Sequence, residues 1–235
     1  MPGSLFRPLG PSHLGVLIFI VMAILLLVVC SKSIRRLKDD QWFRRTYAFL
    51  LLAAGINSWI YFSARSGEMS LPLQLCDLAL FLMVWALLEG NRTVRELAFF
   101  WGLAGSSQAM LTPDLIRGFP SFDWFSFFLN HSAVVLGAVY LAARGLLALS
   151  PASIGRVFLF SNLYVGVIGF VNWQGGTNYG YLARKPESPS LLDYLGPWPY
   201  YIFWCEFIGL ALLFLCFGFS RMVDRLARIE RISDL

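Results

Sequence analysis

Charge is scarce in this sequence. Only 14% of its residues are Asp, Glu, Lys or Arg, against 57% hydrophobic, whereas soluble domains carry about 25% charged and about 45–50% apolar residues. The composition indicates an integral membrane protein. Lysine is scarcer still: Lys32, Lys38 and Lys185 all lie outside the apolar segments, which excludes a retinal Schiff base. Only two histidines occur, and only His131 falls well inside an apolar segment while His13 sits at an amino-terminal interface, so paired haem ligation has no basis. The cysteines Cys30, Cys76, Cys205 and Cys216 lack CxxC or other metal-type spacing, so neither a zinc site nor a disulfide framework is indicated. Phosphate-cradling glycine motifs are missing, and "GLAG" and "WQGGTNYG" read as packing and turn glycines. The expectation is no metal and no cofactor. The net charge of +5 is modest, and the basic residues flank apolar segments. That distribution suits anionic headgroups and topology, with no nucleic acid as partner.

Apolar segments are what the sequence has in quantity. Seven can be counted, at about 14–31, 46–64, 71–90, 94–111, 121–143, 154–173 and 197–220. Each reaches or approaches the ~20 residues that cross a ~30 Å hydrocarbon core as a helix. The first has little preceding charge and strong charge after it, which favours a retained helix over a signal peptide. Basic residues crowd the connections at 32–45, 91–95 and 144–156 and the tail through Arg231; Arg7, Arg65, Arg117, Arg184 and Lys185 lie on the other side. The positive-inside rule then places the amino terminus outside and the carboxyl terminus in the cytoplasm. The expected fold is all-α: a single seven-helix membrane domain over residues 1–235.

With that topology, counting at about 1.5 Å per residue puts most intramembrane polar groups in one outer layer. "SLPLQLCDLALF" brings Gln74, Cys76 and Asp77; "FFLNHSAVV" brings Asn130 and His131; "SSQAMLTPD" brings Gln108, Thr112 and Asp114. Asn172 and Asn178 come from "FVNWQGGTNYGY", Glu206 from the seventh segment and Asn57 from the second. Polar groups from six helices at one level suggest an outward-opening pocket. Simpler roles compete. Asn and Gln often only bridge helices, Thr-Pro-Asp is turn chemistry, and the aromatics of "GPWPYY" suit an interfacial belt. Asp77 and Glu206 are harder to dismiss, because carboxylates in apolar runs need partners.

A thiol and an imidazole in that layer can form a nucleophile–base pair. Asp77 or Glu206 could orient the imidazole, and Asn130, Gln108 or Asn172 could donate to an oxyanion. At 100° per residue, Gln74 and Cys76 point to nearly opposite sides of an ideal helix, unless Pro72 or an irregular first turn alters the register.

Four stretches in order, "LPLQLCDLA", "MLTPDL", "FFLNHSAVV" and "NYGYLARKPESPSLLDYLGPWPYY", resemble the YwaF-type bacterial integral membrane family. That family is related to the eukaryotic transmembrane-protein-164 acyltransferases and, more distantly, to androgen-induced gene 1 type lipid hydrolases. The resemblance covers segments three to seven. It implies acyl transfer to lysophospholipids through a cysteine and a histidine, matched here by Cys76 and His131, with Cys76 carrying an acyl thioester. Family members often have histidine where this chain has Gln74. The expected partners are membrane lipids, phospholipid or lysophospholipid, and the expected location is the bacterial cell membrane. The alternatives are a non-catalytic binding or transport protein using Asp77 and Glu206 to hold a ligand, and a tightly packed scaffold.

Overall fold

A computed structural model describes residues 5–67, 71–188 and 190–229; Ser70 and Arg231, both within stretches read above, lie outside the described residues. The described residues are helical, with an isolated bridge between Leu5 and Arg117. The helices are α1 (Pro11–Val29), α2 (Ser31–Arg36), α3 (Gln41–Ser66), α4 (Leu75–Leu88), α5 (Arg92–Phe100), α6 (Ser106–Leu111), α7 (Phe122–Arg144), α8 (Pro151–Gly175) and α9 (Tyr200–Ile229). Five of them, α1, α3, α7, α8 and α9, are long and apolar enough to cross a membrane. α4 is apolar but shorter, at 14 residues. α5 and α6 are joined by a π-helical stretch, Trp101–Gly105, so helix continues unbroken from Arg92 to Leu111.

Local chemistry sets the helix ends. Pro11 and Pro151 open α1 and α8, where a missing N–H costs nothing. Asn91 and Ser121 cap α5 and α7 by accepting the backbone N–H of Val94 at 3.0 Å and Trp124 at 3.2 Å, each satisfying an otherwise orphaned donor. The third apolar segment forms helix from Leu75 rather than from 71. Its first residues are held in a non-helical turn, with Leu73 N–H donating to Leu71 O, Leu71 N–H donating to the Tyr179 hydroxyl and the Tyr164 hydroxyl donating to Leu73 O.

α7 is the buried centre. Val134, Val135, Ala138, Val139, Leu141 and Ala143 are all closed off from the surroundings. α8 and α9 instead expose Leu163, Val167, Phe203, Phe207 and Phe214, an apolar outer surface that suits hydrocarbon.

Arginine side chains mark the relative directions of the helices. At the arginine-rich face, the Arg44 side chain donates to Leu87 O at the end of α4, and Arg144 at the end of α7 donates to Asp40 before α3. At the other end of α3, Arg65 donates to Asp123 at the start of α7. α3 therefore runs antiparallel to both, and α4 and α7 run parallel.

Two buried carboxylates organise the basic face. Asp40 accepts from Tyr140 at 2.6 Å, Arg144 at 2.9 Å and Arg44 at 3.1 Å. Burial pushes its carboxyl up, but these three donors outweigh burial and hold it below its ordinary value of 3.8. Glu96, 1% exposed, accepts from Arg92, Ser153 and Arg156 and ties α5 to α8.

Candidate active site

The site is built on a close helix contact. Met83 of α4 lies against two glycines: a Cβ placed on Gly137 would come within 2.9 Å of its sulfur, and one on Gly102 within 3.3 Å of its terminal methyl. Only residues without side chains let α4, α7 and the π stretch approach so closely. Cys76 lies seven residues before Met83, and Asn130 seven before Gly137. Seven residues are two turns, so each lies on the same face of its helix as its reference residue and about 10 Å further along. Because α4 and α7 run parallel, Cys76 and Asn130 stand at about one level, with the Asn130 side chain turned to Ser58 of α3 and His131 next in the chain. The third wall is the π stretch, whose Gly102 meets Val134, one turn from His131, and whose Gly105 meets Leu75. π-bulges are frequent at functional sites.

The hydrogen bonds of His131 assign its protons. Nδ1–H donates to Phe127 O at 2.8 Å, so the lone pair sits on Nε2, the basic nitrogen. Among the described residues Nε2 has no hydrogen-bond partner, and no hydrogen bond joins the ring to the Cys76 thiol. The imidazole is 9% exposed and stacks on Phe127 at 4.2 Å between centroids.

Other residues singled out from the sequence have partners of their own. Asp77 accepts the N–H of Gln74 at 3.2 Å, the carboxylate half of a capping box at the start of α4. Gln74 precedes that helix in extended conformation (φ −64°, ψ 149°), so the ideal-helix register that set it opposite Cys76 does not apply. Its Oε1 accepts from Gly180 N–H at 2.7 Å and fastens the 178–182 loop over the mouth of α4. Gln108 reaches Thr112 at the end of α6. Asn172 holds the turn after α8 through Tyr179 and Thr177, and Asn178 accepts from Ala183 and Arg184 N–H. Glu206 accepts from Asn162 at 3.1 Å, an interhelical bond between α9 and α8. His13 bridges Leu9 and Met110.

Several participants escape a residue-by-residue reading. Asn130 donates to Ser58 at 2.8 Å, and Ser126 donates to the same hydroxyl at 2.6 Å, while Asn130 Oδ1 is buried without a partner among the described residues. The signal was available as periodicity: Asp123, Ser126 and Asn130 are spaced i, i+3, i+7, one stripe of a helix. An apolar cleft of about 320 Å³, lined by Leu78, Phe81, Leu82, Trp85, Leu97 and Trp101, opens on the side of α4 away from Cys76. Groups of His, Cys, Asp and Glu able to hold a metal are absent among the described residues.

No curated protein and no solved structure matches the chain. The family model described as TMEM164 family matches residues 8–217, well over half of the sequence. This integral, multi-pass membrane protein therefore belongs to the TMEM164 family.

Proposed function

We propose that the protein is a membrane-embedded acyltransferase, or acyl hydrolase, acting on phospholipid or lysophospholipid through an acyl thioester on Cys76. The observation that carries the reading is the tautomer of His131: its proton is committed to Phe127 O, leaving the basic nitrogen unengaged at the level of the thiol. In the first half-reaction Nε2 takes the thiol proton and sulfur attacks the ester carbonyl. The ester C–O bond breaks, and the leaving alkoxide takes the proton back from the imidazolium. In the second, Nε2 deprotonates an acceptor hydroxyl or water, which attacks the thioester and returns the sulfur as thiol once it is reprotonated. The ring and thiol are drawn together by substrate, since catalytic hydrogen bonds often tighten only in the complex.

The architecture proposed with this chemistry has seven spans, counting α4 and the α5–α6 helix with the five long ones. The arginine-rich face lies in the cytoplasm of a bacterial cell and the site lies at the outer leaflet.

Mass spectrometry of the protein reconstituted with phospholipid tests the reading. A hydroxylamine-sensitive acyl adduct on Cys76 is expected; it disappears in Cys76→Ser and forms roughly 10²- to 10⁴-fold more slowly in His131→Gln. Lipid turnover unchanged in both variants sinks the enzyme reading. It would leave a non-catalytic lipid-binding protein.

A further inference from the structure

A second polar feature runs along the seam between α3 and α7. At the loop face, where α3 ends and α7 begins, Arg65 Nη1 donates to Asp123 Oδ2 at 2.7 Å, and Arg117 Nε lies 3.9 Å from the same oxygen. Two guanidiniums thus share one carboxylate, leaving one positive charge in excess among the described residues. Both arginine side chains remain largely accessible, at 41% and 48%, while Asp123 is closed in at 10%. Tyr61 packs against Phe122 beside them, with tilted rings whose centroids are 4.2 Å apart.

Below this pair the seam stays polar. Ser126 is three residues on from Asp123 and Asn130 four beyond that, while Ser58 lies seven residues back from Arg65 on α3. Their side chains bond across the seam, as described above. The stripe descends about 10 Å and ends at the buried, unpartnered Oδ1 of Asn130, level with Cys76. A guanidinium pair at headgroup height is suited to a phosphate, which arginine binds through paired N–H donors. The orphan Oδ1 is an acceptor and calls for a hydroxyl.

We infer that the α3–α7 seam is a headgroup site for a lysophospholipid: Arg65 and Arg117 hold the phosphodiester, and the glycerol hydroxyl donates to Asn130 Oδ1. This rests on the acyl-transfer reading for its purpose and names the side from which the acceptor enters, but it is a statement about binding and is tested without turnover. In uncharged detergent, the full-length protein is titrated with lysophosphatidylglycerol, with monoacylglycerol of the same chain length, and with inorganic phosphate.

The lysophospholipid is expected to bind about tenfold more tightly than the monoacylglycerol. Arg65→Gln with Arg117→Gln should erase the difference while monoacylglycerol binding, which reports the fold, persists. Arg65→Lys with Arg117→Lys should retain most of it. If the glutamine pair binds neither lipid, the lysine pair decides: preference kept supports the site, and preference lost overturns it. Equal binding of the two lipids by the native chain, or a preference surviving in the glutamine pair, also overturns it. Displacement of lysophospholipid by millimolar inorganic phosphate would reassign the site to free phosphate; failure to displace supports the lipid. A positive result with no adduct on Cys76 would leave this site standing while the enzyme reading fell.

Discussion

At the scale of single residues, neighbours in sequence divide the labour at the mouth of α4. Cys76 is the residue proposed to carry the acyl group, whereas Asp77 closes the capping box with Gln74 N–H. A carboxylate beside a thiol invites a catalytic reading, but a group at the third helical position that accepts the N-cap amide has structural employment already. Asp77→Ala should therefore lower stability by about 1 kcal/mol, read as a fall in the thermal midpoint. It should leave acyl-adduct formation at Cys76 within a few-fold of the native rate, and loss of the adduct in a folded Asp77→Ala protein would restore Asp77 to the reaction. The Q-x-x-D spacing of this box is legible in the sequence; the role of Gln74 is not, because its partner Gly180 is more than a hundred residues away. Separations of 68 and 72 residues hide the serines. Ser58 looks unremarkable until Asn130 and Ser126 arrive from α7.

Between elements, the decisive contact is Met83 against glycine. The apolar segments are legible because about 20 apolar residues have few alternatives to a helix in a bilayer. Their internal geometry is not. The segment read as continuous at 94–111 contains the π stretch Trp101–Gly105, and nothing in its own hydropathy distinguishes that turn. What distinguishes it is tertiary: Gly102 must meet Val134 and Met83, Gly105 must meet Leu75, and Trp101 must donate to Ser161 of α8 at 3.0 Å. Gly137→Val tests whether the contact sets the level of Cys76. Its side chain would enter the volume of Met83, and such overpacking costs about 1–3 kcal/mol. The expected outcome is a lower thermal midpoint together with loss of most adduct formation. Pairing Gly137→Val with Met83→Ala, which vacates the space, should recover part of both. A Gly137→Val protein with native midpoint and native adduct yield would show that α4 and α7 are not held by this contact.

For the whole molecule, the basic face acts as a clamp on the helix ends. Arg35 of α2 donates to Ala142 O and Ala143 O of α7 and to Asp224 of α9. Arg144 reaches back to Arg35 O, Leu37 O and Asp40, and Arg44 joins Asp40 to Leu87 O. α2, α3, α4, α7 and α9 are thereby tied together, with Asp40 shared by both Arg144 and Arg44. The charge count that predicts orientation sees these arginines only as a surplus of one sign; their partners are backbone carbonyls and two aspartates that no count can pair. Asp40 also gives the clamp a pH signature. Its folded-state carboxyl is held below the ordinary value of 3.8, so the ionised form is the one the fold favours. The stabilisation is complete above the unfolded-state value and is lost as pH falls below about 4 through the lower folded value. Asp40→Asn keeps the size and one acceptor but removes the charge, and should cost roughly 2 kcal/mol at neutral pH, less than the 3–5 of a fully unpaired buried ion. Thermal midpoints of the native and Asp40→Asn proteins, measured from neutral pH down to about pH 3, should converge as the native carboxylate protonates. Parallel curves across that range would mean that Asp40 contributes geometry to the clamp rather than charge, and that the arginines are held by the carbonyls alone.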